Sequence, residues 1–145
     1  MIQLIAFEGL GLGTPTHIKR GLLDRLVLRD ADVCRASFMS DGPKPLNALG
    51  TKRIVIGHSM GGASAIAWCN RWANYKFDLL LTLDPRPLHR PYRKPANVLR
   101  CVNFYRDAFW MRGYPVEGAE NTKVRCGHTQ VPALREVLEL VEEYL

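Results

Sequence analysis

The stretch Arg53–Ala65, R-I-V-I-G-H-S-M-G-G-A-S-A, restricts the fold more than any other part of the chain. Ile54, Val55 and Ile56 form a β-branched apolar run, too short for a helix and stopped by Gly57. That is the pattern of a buried strand. Gly57-His58-Ser59-Met60-Gly61 follows as G-x-S-x-G, and the small residues after it lead into Ile66, Ala67 and Trp68, which read as a helix. Strand, tight turn and helix are the setting this motif requires. A serine at such a turn sits on a strained backbone with its hydroxyl exposed, and Gly57 and Gly61 leave room where a Cβ would strike a neighbour. The helix begins at the serine, so free N–H groups and the positive dipole end face whatever the hydroxyl attacks. The Met60 amide, next after Ser59, is placed to donate to an oxyanion.

The rest of the chain narrows the class. At 145 residues it supplies one core, so we expect a single domain over residues 1–145. No apolar run approaches the ~20 residues needed to cross a bilayer, so no membrane span is expected. Met1–Phe7 has no basic start and is too short for a signal peptide, so it reads as the first strand. Cys34, Cys69, Cys101 and Cys126 are scattered without C-x-x-C or metal-ligand spacing. They read as reduced thiols of a cytoplasmic protein, and no metal is expected. The net charge of +6 suits an anionic partner without naming one.

In chain order, residues 2–7 form a strand that enters Glu8-Gly9-Leu10-Gly11-Leu12-Gly13, a glycine-rich loop that does not match G-x-G-x-x-G. Thr14-Pro15 starts a helix whose apolar side is Ile18, Leu22, Leu23 and Leu26. Ala31–Phe38 reads as a second strand, and Leu46–Leu49 as a remnant of a helix. Phe77–Leu83, Asn97–Tyr105 and Asn121–Cys126 read as further strands. A closing helix runs from about Pro132. Strands alternating with helices predict a parallel sheet covered on both faces.

Gly57-His58-Ser59-Met60-Gly61-Gly62 resembles the nucleophile elbow of α/β-hydrolases, in a version common among lipases and esterases. The resemblance implies a Ser–His–Asp hydrolase on a three-layer α/β/α sandwich with a mostly parallel sheet of about six strands. It also implies a second oxyanion donor in the loop after an early strand, often written His-Gly-X. Glu8-Gly9-Leu10 is similar to that pattern, with Glu8 in the histidine's place. The Leu10 amide is then the implied donor, with Gly9 and Gly11 as alternatives.

Triads of this family run Ser, then Asp or Glu, then His, and open parallel sheets gather reactive residues outside the carboxyl ends of their strands. Ser59, Asp84 and His128 stand at such ends in that order. His128 would take the serine proton and return it to the leaving group, and Asp84 would orient the imidazole. Asp107, at the end of the following strand, is the alternative acid. Asp84 is favoured because it ends an apolar strand directly, whereas Asp107 stands beside Arg106 as half of a solvated ion pair.

Two segments bear on substrate. Pro85–Pro95 carries four prolines with Arg86, Arg90, Arg93 and Lys94, and reads as a basic loop. It could attract an anionic substrate; contact with nucleic acid is the weaker reading. Phe109, Trp110, Met111, Tyr114 and Pro115 form an aromatic stretch that could wall an acyl pocket. The expected activity is hydrolysis of a small or surface-presented carboxylic ester through an acyl-serine, with no cofactor. Thioesterase, amidase and a non-catalytic binding role on the same fold are the alternatives.

Overall fold

The computed structural model describes residues 1–10, 17–86, 92–109 and 112–145. Its elements run β1 (Ile2–Glu8), α1 (His17–Gly21), a 3₁₀ turn (Leu23–Arg25), β2 (Ala31–Ser37), β3 (Lys52–His58), α2 (Met60–Arg71), β4 (Phe77–Leu83), β5 (Val98–Tyr105), β6 (Glu120–Lys123), a second 3₁₀ turn (His128–Ala133) and α3 (Arg135–Glu142). The six strands form one sheet in the order β2-β1-β3-β4-β5-β6, and every pairing is parallel.

Alternation along the strands divides the core in two. Leu4, Ala6, Ile54, Ile56, Leu79, Leu81 and Leu83 pack with Ile18 and Leu22 around α1 and with Val137, Leu140 and Val141 of α3. Ile5, Phe7, Val55 and Leu80 pack instead with Ala65, Ile66, Trp68 and Cys69 of α2. The chain steps from β1 outward to β2, then returns past β1 to β3 and continues the other way. With the stepping direction reversed, covering the opposite face with α2 keeps both crossovers the same hand. The reversal falls between β1 and β3, the place where an open parallel sheet forms a crevice at its carboxyl edge.

Register carries the carboxyl ends of β1, β3, β4 and β5 to that edge together: Phe7 pairs with Gly57, His58 with Leu83, and Leu83 with Phe104. A polar row one position below pins it, buried at Thr82 and Asn103 and ending at the exposed Asn121. Thr82 Oγ1 donates to Asn103 Oδ1 (2.7 Å), and Asn103 Nδ2 donates to Asn121 Oδ1 and to the Tyr114 carbonyl (both 2.8 Å). A one-residue slip would break this row and turn every core side chain to the wrong face.

Three elements differ from the sequence reading. Residues 46–49 are not helical. Pro43 and Pro45 interrupt the segment, and side chains satisfy its backbone: Gln3 Oε1 accepts from the Leu46 amide (3.0 Å), and Arg53 Nη2 donates to the Leu46 carbonyl (2.6 Å). The last strand is Glu120–Lys123, shifted back from 121–126, and α3 begins at Arg135 after a 3₁₀ turn. The Thr14-Pro15 helix start lies outside the described residues, although Ile18, Leu22, Leu23 and Leu26 are buried as the periodicity requires. The four cysteines are free thiols, and no helix among the described residues is long and apolar enough to cross a membrane.

Candidate active site

Ser59 is the residue between β3 and α2, with φ 58° and ψ −126°. A non-glycine residue held there costs on the order of 1–3 kcal/mol, a strain that concentrates at functional positions. Its backbone is held from three sides. The Ser59 amide donates to the Leu83 carbonyl (3.0 Å), and its own carbonyl accepts from Gly62 (2.9 Å) and Arg86 (3.0 Å). Serine is a favoured helix N-cap because its hydroxyl can accept from the first turn. Here Ser59 occupies the N-cap of α2 and makes no such bond, so the hydroxyl is not used for capping. Gly9, just past β1, lies against it: a Cβ on Gly9 would stand 2.7 Å from the Ser59 Cβ and 3.3 Å from Oγ. Met60 opens α2, so its amide is one of the helix's unpaired first-turn donors. Leu10 follows Gly9 with its side chain exposed, and Gly11 lies outside the described residues.

Asp84 follows β4 directly, with φ 47°, and is fully buried. Its carboxylate is saturated. His128 Nδ1 donates to Oδ2 (2.5 Å), the Arg106 amide to Oδ1 (2.9 Å) and Arg106 Nε to Oδ2 (3.0 Å), while Arg86 Nη2 stands 3.9 Å from Oδ2. Burial works against ionisation of Asp84. The bonds from His128 and from the amide and guanidinium of Arg106 outweigh it and hold the carboxyl below the usual carboxylate range. A carboxylate can only accept, so Nδ1 of His128 carries a proton, and in the neutral imidazole Nε2 then keeps a free lone pair. Asp107 is elsewhere: it is exposed, and Lys123 Nζ lies 2.8 Å from its Oδ2. The structure thus brings Asp84, and not Asp107, to His128.

His58 ends β3 and is buried to 1% exposure. Its Nε2 lies 2.9 Å from the His128 carbonyl, and its ring stacks on the His128 ring at 4.6 Å. A carbonyl accepts only, so Nε2 carries the proton. Nδ1 is buried without a hydrogen-bond partner among the described residues. The His17 ring meets the His58 ring edge-on at 5.5 Å. Ser59 and His128 therefore flank His58, one through the chain and one through space. Among the described residues, no hydrogen bond joins Ser59 Oγ to His128.

Burial and the neighbouring His128 ring push the His58 pKa down to about 3 from its ordinary 6.5, against the pull of the bond to the His128 carbonyl and, more weakly, of Asp84. Between those values the unfolded chain binds the extra proton and the folded protein does not. Stability is therefore complete above pH 6.5 and falls by about 1.4 kcal/mol per pH unit as the pH drops toward 3. The titratable groups facing the ring are His17, His128 and Asp84. Asp84, its carboxyl depressed from 3.8, adds a loss only below that value. Urea midpoints at pH 7, 6, 5 and 4 are expected to follow this slope and to flatten in His58→Phe. A flat profile for the intact protein would contradict a buried neutral His58.

Three residues take roles here that the sequence reading did not give them. Arg106 clamps the acid. Arg86 stands behind it with Nε and Nη2 buried and without hydrogen bonds among the described residues. Glu8, buried at the end of β1, accepts from the amides of Ile18 (3.1 Å) and Lys19 (3.0 Å), and so caps α1. Glu8 could have been suspected, since a carboxylate in a buried strand needs such partners. A cavity of about 340 Å³ opens beside the acid, lined by Arg106, Asp107, Ala108, Val124, Arg125 and Cys126. Of the aromatic stretch, Phe109 is fully exposed, Tyr114 and Pro115 line a separate groove of about 420 Å³, and Trp110 and Met111 lie outside the described residues. Of the basic loop, Arg86 turns toward Asp84 and Arg93 pairs with Glu117 at 3.2 Å, while 87–91, with Arg90, lie outside the described residues. Among the described residues no group of three or more His, Cys, Asp or Glu is arranged to hold a metal ion. Comparison with protein-family models, curated proteins and solved structures returns no match.

Proposed function

We propose that this chain is a serine hydrolase built as a minimal α/β-hydrolase, its helices forming the outer layers of a three-layer α/β/α sandwich. Its substrate is a carboxylic ester, small or presented on a surface. One observation carries the reading: His128 donates Nδ1–H to a fully buried, clamped Asp84, so that the neutral imidazole has Nε2 as its base at the sheet edge where Ser59 stands on a strained turn. A serine hydroxyl needs such a base to act near neutral pH.

The chemistry follows from those positions. As Ser59 Oγ bonds to the ester carbon, its proton passes to His128 Nε2. Charge collects on the former carbonyl oxygen, where the Met60 amide and, in this reading, the Leu10 amide donate to it. Collapse breaks the bond to the alcohol oxygen, which takes the proton from His128. Water then repeats the sequence on the acyl-serine and releases the carboxylic acid. Asp84 stays ionised throughout and stabilises the imidazolium. No cofactor takes part in these steps. Thioesters and amides would use the same residues.

A second reading has a specific observation in its favour. Ser59 is only 8% exposed and is not hydrogen-bonded to His128, as in a binding protein that keeps the fold with a closed pocket. Catalytic hydrogen bonds are often long in unliganded enzymes and tighten with substrate, so we favour the enzyme. A fluorophosphonate probe separates the two. The enzyme reading expects one equivalent of label on Ser59, absent in Ser59→Ala, together with turnover of p-nitrophenyl esters from acetate to longer chains. An intact protein that neither labels nor turns over any ester would overturn it.

A further inference from the structure

We propose that His58 is the positioning residue for His128: its Nε2–H holds the His128 main-chain carbonyl, and its ring is the shelf on which the His128 imidazole stacks. The proposal deepens the serine-hydrolase reading and rests on it for its catalytic consequence, though not for its geometry.

The sheet dictates the direction of this side chain. Ile54 and Ile56 alternate onto the face covered by α1, the second 3₁₀ turn and α3. His58 is next in that series, so it points under the turn that begins at His128. Ile54 and Ile56 are fully buried and apolar, and an apolar residue at 58 would continue the core. Instead the position holds an imidazole with one nitrogen bonded across 70 residues and the other buried without a partner among the described residues. An unpartnered buried acceptor lowers stability. A residue retained at such a cost is explained if the bond it does make is needed.

That bond fills a gap in the support of His128. Asp84 fixes Nδ1 and so sets the tautomer, but one hydrogen bond leaves the imidazole free to swing about it. The turn itself is anchored just before His128, where the Gly127 amide donates to Gln130 Oε1 (2.8 Å), and further on by the buried Val131 and Pro132. His58 supplies two further restraints, one on the main chain at 2.9 Å and one on the ring face at 4.6 Å. Because His58 is joined directly to Ser59, the same side chain ties the frame of the base to the residue that must meet it. Its depressed basicity keeps the stacked partner neutral, so it does not compete for the Ser59 proton or repel the imidazolium of His128.

The test uses the full chain and two variants. His58→Phe keeps a ring face and removes the donor; His58→Gln keeps an N–H donor and removes the ring. With p-nitrophenyl butyrate, and active sites titrated by fluorophosphonate, His58→Phe is expected to lower kcat by about 10- to 100-fold with KM within about twofold, as a misplaced base would. His58→Gln should recover part of that loss. A lower melting temperature with unchanged kcat per titrated site in both variants would mark His58 as merely structural and overturn the proposal. Histidine-ring ¹⁵N NMR decides the geometry without turnover. In the intact protein His58 should be the Nε2–H tautomer, and the His128 Nδ1–H signal should be resolved and slowly exchanging. In His58→Phe that signal should shift and broaden; an unchanged His128 signal would overturn the proposal. If the intact protein gives no label and no turnover, the hydrolase reading falls while the NMR arm still decides the positioning role.

Discussion

Asp84→Asn is expected to lower kcat/KM for an activated ester by about 10³–10⁴-fold, the scale seen when the acid of a Ser–His–Asp triad loses its charge with its geometry kept. Asp84 accepts from His128 Nδ1, the Arg106 amide and Arg106 Nε. An asparagine replaces one accepting oxygen with a donating nitrogen. With that nitrogen toward His128, the imidazole must flip its proton to Nε2 and loses the lone pair that takes the serine proton. With it toward the Arg106 amide, two donors face each other inside the protein. Either way the carboxylate that would balance an imidazolium is gone. The substitution also removes a negative charge beside Arg106 and the half-buried Arg86, so rates should be taken per fluorophosphonate-titrated site and at low temperature. Asp107→Asn is the control. Asp107 is exposed and paired with Lys123, a contact of the kind worth about 0–1 kcal/mol, and its loss should change kcat/KM by no more than about threefold. If the Asp107 variant loses the activity and the Asp84 variant keeps it, the acid has been assigned to the wrong strand.

The contrast between these two aspartates shows what can be read from one dimension. The buried strand Ile54–Ile56, the turn at Ser59 and the carboxylate directly after Phe77–Leu83 are local patterns, and local patterns survive folding. A parallel sheet followed from the alternation of strands with helices, whereas the order β2-β1-β3-β4-β5-β6 did not. Partnerships across the sheet were not legible in the same way. Arg106 and Asp107 are adjacent, so an ion pair between them was the natural reading. Neighbours along an extended chain point in opposite directions, and here Arg106 turns to Asp84 while Asp107 turns to Lys123. Only the β4–β5 register, Leu83 against Phe104, brings Arg106 beside Asp84. Glu8 is a similar case. It occupies the place where the resemblance led one to expect histidine, and its partners are amides ten and eleven residues on, at the start of α1. In the sequence His58 is only one member of the G-x-S-x-G turn. Its contact with His128 became visible only when alternation along β3 was combined with the position of the turn after β6.

The turn that carries Ser59 also sets the second large effect, which concerns folding rather than chemistry. Gly61→Ala is expected to destabilise the protein by about 3 kcal/mol or more, at or above the usual range for overpacking, and to leave much of it unfolded at 37 °C. Gly61 lies in α2, where alanine would normally be preferred to glycine. A Cβ there would collide with the carbonyl oxygen of Phe7 and come within 2.7 Å of its carbonyl carbon and 3.0 Å of that of Glu8. These are main-chain atoms of a central strand, so no flexible side chain can move aside. Either β1 shifts, breaking its pairing with β2 and β3, or the first turn of α2 lifts away from the sheet and takes Ser59 with it. Gly50→Ala separates this cause from conformational strain. Gly50 has φ +72° and nothing near its missing Cβ, so alanine there meets only the left-handed penalty, about 1–2 kcal/mol. Urea unfolding of both variants should therefore rank them in reverse of helix propensity and backbone angle: the helical glycine costs more than the turn glycine. Equal midpoints for Gly61→Ala and the intact protein would mean that α2 does not sit on the end of β1, and the geometry assigned to Ser59 would fall with it.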